Sequence, residues 1–413
     1  MSKRKLFSVV AAACLVSPMV SAESSVDADS ALSGWINGVL SQNPEVQAAQ
    51  AAVDAAGGRL RGADQTLFNP ELEFEYESSD VDTTTGGISQ TIDWAGKREA
   101  RTGVAQSGQV AAVAELRARR QALAAELLRS LADWQASDAI TRVSEQQSEL
   151  MTRFARLADQ RRRAGDLDQV ELDLAHLAAA DAAFQQSNAQ ENLIRARQVV
   201  TALTGGDHAS WPALTGTLPE LDPEKIDVER LLADLPLLQA ALARVAAARA
   251  SVQLSLREKR PDPTIGIRAG KEDSDTLTGI TLSVPLFVRN TFSAEVDVAN
   301  AELIQAEREA AGLYQQARAD LTAAAQVYRN AQRAWKTWED SGAPRLSQRT
   351  DLLDRLWRAG ELSTTDYLVQ LKQALETEVS ATEQHGRMWR AWADWLAASG
   401  RIAQWLNLEG ETP

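Results

Sequence analysis

Two periods alternate along the chain. From Leu32 to Leu67 apolar residues recur at helical spacing, interrupted at Asn43-Pro44 and weakened at Gly57-Gly58. In NPELEFEYESS the period then drops from about 3.6 to 2. Leu72, Phe74 and Tyr76 share one face, and Glu71, Glu73, Glu75 and Glu77 share the other. A turn-rich DVDTTTGG leads into ISQTIDW, where Ile88, Ile92 and Trp94 oppose Ser89, Thr91 and Asp93. The alternation predicts strands at about 71–79 and 87–94, a hairpin with one apolar side. Further on, Ile265, Ile267 and Ala269 oppose Thr264, Gly266 and Arg268. After EDSDTLTG, Ile280, Leu282, Val284 and Leu286 alternate with Thr281, Ser283 and Pro285. A second hairpin is predicted at about 264–271 and 278–287. Each strand has roughly the length that crosses an outer membrane at a tilt. An amphipathic hairpin packed on helices in a soluble domain would read the same way.

A very long helical segment follows each hairpin. Residues 95–163 contain no Pro and would extend on the order of 100 Å. The counterpart, 291–358, carries a predicted kink at Ser341-Gly342-Ala343-Pro344. Each segment ends in an Arg-Ala-Gly-acid-Leu turn: Arg163, Ala164, Gly165, Asp166 and Leu167, then Arg358, Ala359, Gly360, Glu361 and Leu362. Gly165 and Gly360 suit left-handed helix C-termini. Asp168 with Glu171, and Ser363 with Asp366, have capping-box spacing, so a new helix starts at once. The tips are predicted at 163–168 and 358–363. The returning helices carry Leu167, Val170, Leu174, Leu177 and Phe184, with Asp181 in one slot of the seam, and Leu368, Leu371, Leu375 and Val379. These are coiled-coil spacings.

The two halves follow one plan. NPEVQAA at 43–49 returns as LPLLQAA at 235–241, the strand starts Asn69-Pro70 and Asp262-Pro263 match, and Gly87 matches Gly279. With the two tips, these anchors recur in order at offsets of about 192 to 195 positions, the mark of an internal duplication. The expected organisation is a first repeat at 23–204, a Gly/Pro-rich link at 205–225, a second repeat at 226–406 and a tail at 407–413.

Composition narrows the class. Few aromatics and abundant Ala, Leu, Gln, Glu and Arg favour long helices. At the start, Lys3, Arg4 and Lys5 precede an apolar run to Leu15, and Val20-Ser21-Ala22 offers small residues for cleavage, so 1–22 reads as a signal peptide. The single Cys, Cys14, leaves no disulfide after export; as a lipid attachment site it lacks the larger aliphatic three places earlier. Cleavage removes three cations and no acid, turning the net charge from −14 to −17. That balance does not suit a nucleic-acid partner. No later stretch reaches the apolar length of a membrane helix, so only strands could place this chain in a bilayer.

Catalytic machinery is not evident. His176, His208 and His385 have no second ligand at metal spacing, and no phosphate loop or nucleophile elbow occurs. No catalytic residue, bound metal or cofactor is expected.

NPELEFEYE, GGISQTIDWAGKREAR, RAGDLDQVELDLA, DPTIGIRAG, ITLSVPLFVRN and RAGELSTTDYLVQ together resemble the TolC-like outer-membrane factors, the exit ducts of tripartite efflux and secretion systems. SVPLFVRN and DWAGKREAR are most similar to the CzcC-like branch of heavy-metal efflux, although Val288 stands where that branch commonly has Asp. The resemblance implies a mainly α fold with a small β part. Long antiparallel helical hairpins form an α-barrel, and four membrane strands per chain complete a 12-stranded β-barrel in a homotrimer. Four strands alone cannot close a membrane barrel, so the strand count agrees. The implied location is the outer membrane with a long periplasmic part. The implied partners are a periplasmic adaptor, an inner-membrane resistance-nodulation pump reached indirectly, and outer-membrane lipid.

The resemblance makes the two tips the adaptor contacts and Asp366, with Glu171 at the matching position, candidates for a carboxylate ring at the entrance; a purely capping role is the other reading. Leu174 and Val369 stand where a second acid could follow. Glu71, Glu73, Glu75, Glu77 and Arg268 are lumen candidates, either cation-attracting or simply polar. Trp94 is either an interfacial aromatic or a core residue. Arg161 to Arg163 could steer an acidic adaptor surface or form a solvated run. Trp389, Trp392, Trp395 and Trp405 on the last helix read as packing residues, with ligand stacking as the lesser reading. The implied function is passive conduction, heavy-metal cations first, with drug efflux or polypeptide secretion as rivals and a periplasmic coiled-coil scaffold as the alternative of another class.

Overall fold

A computed structural model describes residues 28–80, 82–206, 211–222, 224, 226–359 and 361–408. The signal-peptide reading, Cys14, His208 and the left-handed role of Gly360 lie outside the described residues. The chain is mainly helical with one small antiparallel sheet.

Helix α1 (Ser30–Gln42) starts where Asp29 accepts the Ala31 amide, and it buries Leu32, Ile36 and Leu40 at four-residue steps. At Asn43-Pro44 the helix breaks and restarts. The Asn43 side chain accepts the Glu45 amide, and Pro44, which needs no amide partner, opens α2 (Pro44–Ala63). Gly57 and Gly58 do not interrupt α2. Strands β1 (Glu71–Glu77) and β2 (Thr83–Thr91) precede α3 (Lys97–Ala164), which runs 68 residues without a break, and α4 (Gln169–Thr204) returns. In the second half come α5 (Val228–Asp234), α6 (Pro236–Glu258), β3 (Thr264–Glu272) and β4 (Asp275–Ser283). Then α7 (Ser293–Thr337) passes through a π-helical turn at Trp338–Gly342 into α8 (Ala343–Arg358). Helix α9 (Thr364–Ser399) and the short α10 (Ile402–Trp405) end the described chain. The kink read at 341–344 is this wide turn. A Cβ on Gly342 would run into the Trp338 indole, so the glycine lets that ring lie on the turn.

The strands run β1-β2-β3-β4, every pair antiparallel, so the two halves join through β2 and β3. Strand edges differ from the sequence reading. Strand β2 begins at Thr83 and β4 at Asp275, inside segments read as turns, because Thr83 pairs with both Glu77 and Glu272 and Asp275 with Glu272. Ladder pairing, within each hairpin and across β2 and β3, outweighs the local turn chemistry. The second hairpin turns in two residues, with Asp273 left-handed at φ 50°. Strand β4 ends at Ser283 because Pro285 has no amide to donate.

Three apolar clusters order the helices. The largest gathers α1, the middle of α3, α7, the end of α9 and α10 around Trp389, Trp392, Trp395 and Trp405. Trp405 belongs to α10, not to the last long helix. Residues 211–222 strap this belt. Gln135 of α3 exchanges two hydrogen bonds with Leu214, and on α7 the Tyr328 hydroxyl and Gln332 amide donate to the Pro219 carbonyl at 2.7 and 2.9 Å. A second cluster fills the tip end, and a third packs α5 and α6 on α7. The predicted seam of α4 divides. Leu167 is buried, but Val170, Leu177 and Phe184 are exposed, and a heptad row of Ala175, Ala182 and Ala189 is buried instead, since small side chains allow the closest helix approach. No single helix among the described residues is long and apolar enough to cross a membrane.

Candidate functional site

The sheet sorts its side chains by register. Leu72, Ile88, Ile267 and Ile280 pair across all four strands into one apolar row. Its outer members are almost fully exposed, Leu72 at 87% and Ile280 at 82%. Phe74, Tyr76, Ile265 and Leu282 share that exposed face. On the opposite face Glu73, Gly87, Arg268 and Gly279 form a row, with Glu71, Glu75 and Glu77 on neighbouring rows. The Ser89 hydroxyl donates to Glu73 Oε1 at 3.0 Å. Arg268 lies across Gly279, where a Cβ would come within 3.2 Å of its Nε. Small residues on the acidic face and bulky ones opposite let the sheet curl toward the acids.

Beneath the sheet, charged groups lock the halves together. Lys97 Nζ meets Asp262 Oδ2 at 2.8 Å, with both side chains nearly buried. Arg257 of α6 donates to the Gly96 carbonyl and to Glu99 Oε2, at 2.5 and 2.8 Å. Asp93 accepts the Lys97 and Arg98 amides, each at 2.8 Å, and so caps α3. Burial acts on Asp93 in the raising direction, but the amides of Arg98, Lys97 and Gly96 win and hold its carboxyl below the ordinary aspartate value. Trp94 is not a core residue. It is 66% exposed, and its indole donates to the Pro261 carbonyl at 2.6 Å.

At the far end, the two tips repeat one backbone device. The Asp166 amide donates to the Arg161 carbonyl at 2.9 Å, and 195 positions on the Glu361 amide donates to the Leu356 carbonyl at 3.0 Å. Gly165 sits at φ 87°. Asp168 accepts the Glu171 amide at 2.8 Å while Glu171 reaches back to the Asp168 amide. In the second tip Ser363 Oγ accepts the Asp366 amide at 3.1 Å and donates to Asp366 Oδ2 at 2.7 Å. Both entrance candidates therefore belong to helix caps: half-buried Glu171 completes a capping box, whereas exposed Asp366 supports the capping Ser363 through its hydroxyl. Arg161, Arg162 and Arg163 separate: Arg161 lies over the Trp357 ring at 5.0 Å, Arg162 donates to the Leu167 carbonyl, and Arg163 is exposed.

Sequence reasoning missed what joins the two hairpins. Trp357 stacks on Tyr367 at 4.9 Å, and Phe154 lies 5.1 Å from Trp357 and 5.7 Å from Tyr367. Lys372 of α9 reaches Asp181 of α4 at 3.1 Å, which accounts for an acid in the apolar seam. The nearness of Trp357 to the second tip turn was the available signal; its partner Phe154 lies in the other half.

No group of three or more metal-ligating side chains is placed to hold an ion among the described residues. The arrangement offers a surface with one apolar and one acidic face, carried on long helices that end in a cross-braced tip.

Comparison with known proteins adds a family and a fold. Residues 35–206 match the family model described as outer membrane efflux protein. The chain is 26% identical over 276 residues to the cobalt-zinc-cadmium resistance protein CzcC of Cupriavidus metallidurans, covering 64% of this chain and 65% of that one. It is 26% identical over 286 residues to the nickel-cobalt-cadmium resistance protein NccC of Alcaligenes xylosoxydans xylosoxydans, covering 65% of each. The matched region thus spans just under two thirds of these relatives. Among solved structures, the Campylobacter jejuni CmeC outer membrane channel superposes with a TM-score of 0.76 at 14% identity, over 96% of this chain and 94% of that chain.

Proposed function

We propose that this chain, whose residues 35–206 match the outer membrane efflux protein family model, is a member of that family and that copies of it join into a passive outer-membrane exit duct. The observation that carries this reading is the sheet. It is apolar and exposed on one face and acidic on the other, and β1 and β4 are its two edges. Exposed strand edges and an uncovered apolar face are both liabilities in water. Pairing β4 of one copy with β1 of the next removes the edges and turns the apolar face to lipid. Three copies supply twelve strands. The exposed Val170, Leu177 and Phe184 of α4 support the same assembly, as a row for a neighbouring helix to cover.

The lumen then carries Glu71, Glu73, Glu75 and Glu77 against Arg268 in each copy, a field that favours cations. Heavy-metal cations are the proposed cargo, supported by that charge and by the names of the two resistance proteins. They are substrate, not cofactor. The tips at 163–168 and 358–363 meet a periplasmic adaptor, and Asp366 and Glu171 face the closed entrance. No reaction is catalysed.

Outer-membrane fractionation with chemical crosslinking tests the duct. The expected result is a detergent-extracted trimer. A monomer released without detergent would favour a periplasmic scaffold. A deletion strain sensitised to cobalt, zinc or cadmium, but not to drugs, supports the cargo; drug sensitivity alone would replace it.

A further inference from the structure

The two halves leave the sheet differently. From β2 to α3 the chain takes residues 92–96, whereas from β4 to α7 it takes 284–292. The longer exit carries the apolar alternation of β4 past the last ladder bond. Leu286 is 77% and Val288 81% exposed, in line with Ile280, Leu282 and Val284. Between them Phe287 turns the other way and packs edge-on against Phe292 at 4.8 Å.

The backbone at Phe292 is strained. Both long helices begin from a left-handed residue. In the first half it is Gly96, at φ 69° and ψ 38°. In the second it is Phe292, at φ 52° and ψ 30°, where a bulky side chain is costly. The Phe292 amide is held by Asn290 Oδ1 at 3.0 Å. The second half thus accepts a strained phenylalanine where the first uses glycine, and the result is a pinned turn presenting two aliphatic side chains outward. Beside them Arg289 has no carboxylate partner among the described residues.

We infer that residues 284–292 form an interfacial anchor, seating Leu286 and Val288 in the acyl boundary of the periplasmic leaflet and Arg289 among phospholipid phosphates. The occupant is a lipid surface because the segment continues the exposed apolar face of β4 and ends in a cation, the order in which a bilayer presents acyl chain and headgroup. The inference rests on the duct reading above, since it needs the sheet to be in the membrane.

Site-directed spin labelling tests it in the full-length protein, because Cys14 is the single Cys and can be replaced by Ala. Nitroxides are placed at Ile280→Cys, Leu286→Cys and Val288→Cys, one at a time, in vesicles of phosphatidylethanolamine and phosphatidylglycerol. Collision rates are read with oxygen, which partitions into lipid, and with a water-soluble nickel chelate. Labels at 286 and 288 should be several-fold more accessible to oxygen than to nickel, as at 280, and Arg289→Glu should raise nickel access at 288. Nickel-accessible labels at 286 and 288 beside an oxygen-accessible label at 280 overturn the anchor and leave the duct intact. Nickel access at all three positions overturns both.

Discussion

Lys97 and Asp262 lie 165 positions apart and meet at 2.8 Å beneath the sheet, with side chains only 13% and 8% exposed. One opens α3 and the other leads into β3, so this nearly buried ion pair, with the more exposed Arg257–Glu99 pair beside it, ties the first half to the second where helices become strands. Removing one partner leaves the other charge buried, which costs about 3–5 kcal/mol. Lys97→Met should therefore lower the thermal midpoint of the detergent-solubilised protein clearly. The double variant Lys97→Met with Asp262→Leu should recover part of that loss. Equal loss in single and double variants would mean that the pair's hydrogen-bonded geometry, not uncompensated charge, supplies the stability.

The aromatic group at the tip makes a separate prediction. Phe154, Trp357 and Tyr367 hold the two hairpins of one chain together, and Arg161 covers Trp357. Truncating a buried Trp to Ala costs roughly 3–5 kcal/mol. Because the cluster is confined to the tip end, Trp357→Ala should speed amide exchange and proteolysis near 150–175 and 350–370 while the cluster around Trp392 keeps its protection. Uniform loss of protection would show that the tip is not an independent unit.

Asp366 separates capping from gating. Asp366→Asn keeps an oxygen for the Ser363 hydroxyl but removes the charge, whereas Ser363→Ala removes the cap, worth about 1 kcal/mol, and keeps the charge. If carboxylates ring the entrance, Asp366→Asn changes single-channel conductance or its block by divalent cations, and Ser363→Ala does not. Wild-type conductance in Asp366→Asn would leave Asp366 only its support of the Ser363 cap.

His385 gives a pH dependence. Burial lowers its pKa below the ordinary imidazole value, only partly opposed by Glu339, and its ring lies 4.5 Å from Trp335. The folded protein prefers neutral imidazole, while the unfolded chain takes up a proton from about pH 6.5 downward. Stability from this group is full above that pH. It falls as pH drops toward the lower folded pKa and then levels off. Thermal midpoints between about pH 8 and 5 should decline below 6.5 in the wild type, with a shallower decline in His385→Gln. Parallel curves would assign the slope to other groups.

Gly270 tests the strand packing. A Cβ there would fall on the Thr84 carbonyl oxygen and the Thr85 backbone, neither of which can swing aside as a side chain tip could. If copies join through their sheets, Gly270→Val should reduce the crosslinked oligomer recovered from outer membranes, whereas Gly312→Ala, with nothing near its Cβ, should not; equal recovery of both would overturn the packing role of Gly270.

Features set by neighbours in sequence were legible from the sequence. Helix ends at Asn43-Pro44 and Gly165 depend on caps within a few residues, and the strand faces follow from an alternation written in Leu72, Phe74 and Tyr76 against four glutamates. Contacts between the halves were not legible, because their partners lie more than a hundred residues away. Strand β2 starts at Thr83 rather than 87 because Glu272 of the other half pairs with it as well as Glu77. Even within the first half, the buried face of α4 is Ala175, Ala182 and Ala189 because the distant turns of α3 approach there. Local chemistry decides where an element can begin or turn. Which face is buried, and what pairs with Lys97 or Trp357, is decided only when distant segments share one desolvated space.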